Sequence, residues 1–150
     1  FNIESIVVGR SEVPHLSRMT IVLSGSTPMV EQLRKQLDKI IDVVKVFDIT
    51  AEDTVARELA LIKVGATSSN RSEIIQIVDI FRANIVDVAP DSVTVEVTGD
   101  EEKIDSLLNL LRGFGIKEMT RTGRIAMARG GRRLPVAKQS SKAEGKRQKA

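Results

Sequence analysis

Two stretches of this 150-residue chain repeat one another at a fixed offset of 74 positions. Thr20 matches Thr94, Gly25 matches Gly99, Leu33 matches Leu107 and Leu37 matches Leu111. Met19/Val93, Ile21/Val95, Leu23/Val97 and Val30/Ile104 are similar pairs at the same offset. Self-similarity of this kind marks one structural unit used twice, so any fold assigned to one half must also suit the other.

The second copy is readable in full. Leu59–Val64 is a nearly uninterrupted apolar strand, and Gly65–Ser69 a turn. Asn70 stands as a helix N-cap with Glu73 at capping-box spacing, and Ile74, Ile77, Val78 and Phe81 form one helical face. Ile85–Val88 is a strand and Pro90-Asp91 a tight turn. Val93, Val95 and Val97 alternate with polar residues, the period of a half-buried strand. Asp100 caps a helix whose buried stripe is Ile104, Leu107, Leu108 and Leu111, and the Gly113-Phe114-Gly115 segment stops it. Ile116–Thr120 and Arg124–Ala128 are short strands. The order is β-α-β-β-α-β, the ferredoxin-like pattern.

The first copy reads β-β-α-β. Its strands are Ile3–Gly9, the alternating run through Met19, Ile21 and Leu23, and Val43–Ile49. Its helix is capped by Thr27, takes Pro28 in its first turn, and carries Val30, Leu33, Leu37 and Ile40 on one face. Phe1-Asn2-Ile3 resembles Ala83-Asn84-Ile85, which a strand and a helix precede in the second copy. By that analogy about 25 residues, one strand and one helix, are absent ahead of Phe1. Asn2 is then expected to open an interior strand. The first unit should be poorly stable unless a partner strand fills the gap. The fold class is α+β: two ferredoxin-like (βαββαβ) units, the first lacking its first strand and helix. The expected divisions are 1–50 for the first unit, 51–54 for a linker, 55–129 for the second unit and 130–150 for a disordered basic tail.

The charge supports that last division. The net charge of +3 conceals a tail, from Arg129 onward, with eight Lys/Arg and one Glu. Residues 1–128 carry fifteen basic and nineteen acidic groups and are mildly acidic, so a basic face for nucleic acid is not implied for the core. Cysteine is absent and His15 is the one histidine, so a zinc site of the usual ligand types is excluded. No catalytic pair is placed around His15. No apolar run is long enough to predict a transmembrane helix, and the residues from Phe1 onward do not read as a signal peptide. An RNA-recognition role on this fold would use sheet aromatics, yet Tyr and Trp are absent and the Phe residues 1, 47, 81 and 114 are scattered. The alternative of a ferredoxin-like RNA-binding module rests on the basic tail alone. An acylphosphatase-type enzyme would need a phosphate-cradling loop, and none is present.

Ordered blocks of the chain resemble the small subunit of acetohydroxyacid synthase (acetolactate synthase). They are Phe1-Asn2-Ile3-Glu4-Ser5, Leu16-Ser17-Arg18-Met19-Thr20, Gln32 to Leu37, Val55 to Leu59, Ala66 to Glu73, Ile80 to Ala83 and Arg121-Thr122-Gly123. The resemblance implies that the first unit is an ACT domain and the second a further ferredoxin-like domain. It implies a non-catalytic regulatory subunit with no cofactor of its own. Thiamine diphosphate, Mg and FAD would sit on the large catalytic subunit that it stimulates. It also implies a homodimer, feedback inhibition by valine or other branched-chain amino acids, no membrane association, and a cytoplasmic setting (plastid stroma in a plant). The family's effector site takes one segment from the loop between the first strand and helix, which by the same reading is missing here. The other segment is the Asn-Ile matching Asn2 and Ile3. The plainer reading of Asn2, and of Asn84, is a left-handed residue closing a helix.

Overall fold

A computed structural model describes residues 2–130 and, for the backbone only, 146–149. It divides into two units: Arg57–Thr122, and Phe1–Ala56 together with Gly123–Ala150. In chain order the elements are β1 (Asn2–Arg10), β2 (Leu16–Ser24), α1 (Thr27–Asp38), β3 (Val43–Val46), β4 (Thr54–Gly65), α2 (Arg71–Ile80), β5 (Asn84–Val88), β6 (Ser92–Gly99), α3 (Glu101–Leu111), a 3-10 turn (Arg112–Phe114), β7 (Ile116–Arg121), β8 (Ile125–Ala128) and β9 (Lys146–Lys149).

The second unit is the full ferredoxin-like sandwich. Its sheet runs β5-β6-β4-β7 with every neighbour antiparallel. The period-two pattern sends Ala60, Ile62 and Val64 of β4 to one face, directly opposite Val97, Val95 and Val93 of β6. All six are buried against Ile74 and Val78 of α2 and the four-residue stripe of α3. Full burial of one such aliphatic side chain is worth about 1.5–3 kcal/mol, so this layer dominates the unit's stability. The Asp100 carboxylate accepts from the Lys103 backbone N–H at 2.8 Å, as its capping role requires. Gly115 leaves the 3-10 turn with φ 92, a conformation that suits glycine.

Two local expectations fail here. Asn70 precedes α2 but makes no cap bond. Its side-chain oxygen instead accepts from the Thr67 N–H at 2.7 Å, closing the preceding turn. The left-handed residue after α2 is Arg82 (φ 52), while Asn84 is already in β5.

In the first unit β1 and β2 form an antiparallel hairpin, and β2 and β3 each pair in parallel with β9. The sheet order is β1-β2-β9-β3. Most of the expected tail, 131–145 and 150, lies outside the described residues, but Lys146–Lys149 forms a strand, contrary to the disorder expected of it. Strand pairing needs only backbone N–H and C=O groups, which β2 and β3 both offer along their facing edges. The interior placement expected for the strand opened by Asn2 is also overturned. β1 lies at the sheet edge, as β5 does in the second unit. The gap lies between β2 and β3, where the second unit holds β4 between β6 and β7.

The boundaries shift for physical reasons. β3 ends at Val46 because the Asp48 side chain accepts from the N–H and hydroxyl of Thr50 at 3.0 and 2.6 Å, a turn that stops the strand. β4 begins at Thr54, inside the expected linker. The second unit ends at Thr122 rather than 129, because the chain returns to the first unit at Gly123. Helix α1 starts one residue earlier than a Thr27 cap would place it, with Ser26 as N-cap and no side-chain cap bond. None of its residues is buried. Arg34 pairs along its surface with Glu31 at 2.6 Å and Asp38 at 3.3 Å.

Candidate functional site

Asn2 opens β1 opposite Ser24 and is exposed. Ile3 follows, opposite Leu23, and is 53% exposed. Between Ile3 and Ser5 the register shifts by a bulge. The bulge has a definite effect: Ile3, Ile6 and Val8 fall opposite Leu23, Ile21 and Met19, and so share one face of the sheet. Ser5, Val7 and Gly9, opposite Val22, Thr20 and Arg18, share the other.

The two faces of this edge differ. Ile3, Ile6 and Val8 are each more than half exposed. Ser5 and Val7 are half-buried and Thr20 is buried. The cover on that second face includes the chain around Gly123. A Cβ placed on Gly123 would lie 2.6 Å from Ser5 Cβ and 2.9 Å from Val7 Cγ2. Glycine is required there for close approach. Further on, Arg18 Nη2 donates to the Ala126 carbonyl at 2.8 Å, and the Arg129 N–H donates to the Asp53 carbonyl at 2.9 Å.

Asn2 and Ile3 are therefore adjacent on an accessible edge. A zwitterionic amino acid needs acceptors for its ammonium and donors for its carboxylate. An Asn side chain supplies both, and the open backbone edge of a strand adds more of each. The exposed Ile3–Ile6–Val8 row supplies apolar surface for a branched side chain or a protein neighbour.

In the second unit Glu58 and Asp105 both bind Arg121. Glu58 is buried, and Arg121 Nη1 lies 2.8 Å from Asp105. These hydrogen bonds hold the guanidinium above its ordinary pKa, against the opposing effect of its burial. The next residue, Thr122, accepts from the Leu59 N–H at 3.0 Å through its hydroxyl and donates to the Leu59 carbonyl at 2.9 Å through its own N–H. Sequence reading singled out Arg121-Thr122-Gly123 as a block but did not connect it to Glu58, Asp105 or Ser5. Those contacts span long separations and leave no periodic signal. His15 sits in the β1–β2 turn with φ 65 and lines a surface hollow with Arg10, Ser11, Val13, Pro14, Leu16 and Ser17, none of them a carboxylate.

A βαββαβ sandwich in the second unit, with part of the same strand and helix pattern repeated in the first, makes this an α+β chain of ferredoxin-like units. Comparison with known proteins agrees. Residues 1–45 match the family described as the AHAS small subunit-like ACT domain, and residues 57–130 the family described as the small subunit of acetolactate synthase. A probable acetolactate synthase small subunit of Methanothermobacter thermautotrophicus is 59% identical over 135 residues, covering 89% of this chain and 80% of that protein. The acetolactate synthase small subunit of Mycobacterium bovis is 48% identical over 138 residues, covering 92% and 82%. The crystal structure of the small subunit from Thermotoga maritima superposes with a TM-score of 0.77 at 40% identity, covering 87% and 82%.

The chain belongs to the acetolactate synthase small-subunit family. Membership supports a regulatory, non-catalytic role in association with a catalytic large subunit. Among the described residues no helix is long and apolar enough to cross a membrane.

Proposed function

We propose that this chain stimulates the catalytic subunit of acetolactate synthase and confers feedback inhibition by valine or another branched-chain amino acid, with Asn2 and Ile3 forming part of the effector site. The observation that carries this reading is the match of both units to one small-subunit family, in order along the chain. The accessible placement of Asn2 and Ile3 on an edge strand supports it. A second copy of the chain, joined across the β1 edge about a two-fold axis, would cover the Ile3–Ile6–Val8 row and complete the pocket. Effector discrimination should be partial, because one methylene in an apolar pocket is worth only about 1–3 kcal/mol. Inhibition requires that the effector bind one arrangement of the complex better than another. The alternative of an RNA-binding module acting through the basic tail finds no support in the family matched.

The test is reconstitution. The full-length gene product is mixed with the large subunit from the same source, and acetolactate formation is followed with and without valine, leucine and isoleucine. The reading expects a higher rate on mixing and a lower one with effector. A rate that ignores the added chain would refute it.

A further inference from the structure

We propose that the free edge of β5, Asn84–Val88, is a self-association surface on which a second copy of the chain seats its own β5 edge, antiparallel about a two-fold axis. The proposal concerns the second unit alone. It goes beyond the contact across β1 considered above and does not depend on the effector reading of Asn2 and Ile3.

Three observations carry it. First, the two ends of the second unit's strand order, β5-β6-β4-β7, are unlike. β7 carries Lys117, Glu118 and Arg121, which are paired with Asp91, with Lys63 and with Glu58 and Asp105. Charged side chains of this kind guard a strand edge against pairing with another chain. β5 carries one charge, Asp87, and neither Lys nor Pro. The bulge between Ile85 and Asp87 leaves Val86 outside the ladder to β6. Val86 and Val88 are 51% and 59% exposed.

Second, the charges along this edge lack partners and complement themselves. Asp87 stands opposite Thr94, and the cation in the same row, Lys63 on β4, is paired with Glu118. Arg82, two residues before β5, is exposed. Neither Arg82 nor Asp87 has an ion pair or side-chain hydrogen bond among the described residues. When two β5 edges lie antiparallel about an axis at Asn84–Ile85, each Arg82 comes beside the other copy's Asp87, so one contact satisfies all four charges. A parallel placement sets like charges side by side and is disfavoured.

Third, Arg82 is left-handed, with φ 52, and its N–H closes α2 on the Asp79 carbonyl at 3.0 Å. Glycine takes that conformation freely and arginine does not. A strained backbone under an unpartnered guanidinium points to a use for the side chain outside the chain itself. Two five-residue edges bury less than the roughly 1,000 Å² of a stable interface, so the contact is a weak one, held by backbone bonds and oriented by the Arg82–Asp87 pairs.

The experiment is hydrogen exchange of β5 in the full-length gene product at about 200 μM, a concentration that populates weak contacts. Arg82→Asp makes both charges of the edge negative, and Asp87→Arg makes both positive. Either variant alone should exchange the amides of 84–88 about tenfold faster than wild type. When the two variants are co-expressed, unlike edges meet with opposite charges and 84–88 should return to the wild-type rate. The amides of β6 (92–99) report an intact second unit, and a folding defect in one variant would not be cured by mixing. A mixture that exchanges as fast as either variant alone would overturn the proposal, as would variants that match wild type. Protection of 84–88 that arises only when the catalytic subunit is added would assign the edge to that protein and overturn the second copy as its occupant.

Discussion

The two units are built from one repeated pattern and differ in what covers it. In the second, the stripe of α3 is buried at all four positions. In the first, α1 carries the matching Val30, Leu33 and Leu37 yet buries none of its residues. Ile85 at the start of β5 packs against a core to which α2 contributes. Its counterpart Ile3 is 53% exposed, and among the described residues no second helix stands in the first unit to cover it. The central position shows the same contrast. β4 is an apolar strand antiparallel to both neighbours, whereas the equivalent place between β2 and β3 holds Lys146–Lys149 running parallel to both. Equal local patterning thus gives unequal burial, because an amphipathic element is stabilised by what it packs against.

The largest expected effect tests that contrast directly. Leu107→Ala should destabilise the second unit by about 2–5 kcal/mol, as for truncation in a closed core, whereas Leu33→Ala, at the matching place in the half-covered first unit, should cost about 1 kcal/mol. Urea unfolding followed by methyl resonances assigned to each unit would measure both. Equal losses would show that α1 is as well packed as α3.

A smaller effect lies at the helix starts. Asp100→Ala removes a formed cap bond and should cost about 1 kcal/mol, while Ser26→Ala removes none and should stay within about 0.5 kcal/mol. Thermal unfolding of the two variants would sharpen the comparison. A costly Ser26→Ala would mean that its hydroxyl caps α1 in solution.

The smallest effect is in acid. Asp48 in the first unit is held below the usual carboxylate range by the hydroxyl and backbone N–H of Thr50, and Asp91 in the second by its hydrogen bond to Lys117. A depressed carboxylate contributes stability above its unfolded pKa of about 3.9, and that contribution is lost as pH falls through the lower folded value. Salt distinguishes the two. In 1 M salt, where the Debye length is about 3 Å, the depression at Asp91 should shrink and that at Asp48 should persist. Carboxyl carbon titrations at low and high salt would show this, and an equal response would contradict the assigned causes.

The same contrast explains what was legible in the amino-acid order. The β-α-β-β-α-β order of the second unit, the buried stripe of α3 and the Asp100 cap are local or periodic features, and all stand as read. Asn70 misled because a turn four residues long competes for the same side-chain oxygen, and the choice between cap and turn is geometric. The edge position of β1 was missed because strand order is decided by long-range pairing, which residue spacing does not record. The close approach of Gly123 to Ser5 and Val7 leaves no mark in residue spacing for the same reason: read alone, Gly123 looks like a turn glycine. Asn2 and Ile3 were reached through family resemblance. The structure places them together on an accessible edge, where a ligand could meet both.

The most direct measurement is valine inhibition of the reconstituted enzyme carrying Asn2→Ala in the small subunit. Stimulation of acetolactate formation should persist, and the half-inhibitory valine concentration should rise about tenfold or more, the loss expected for hydrogen bonds to a charged ligand. Unchanged valine sensitivity would contradict the placement of the effector at the β1 edge.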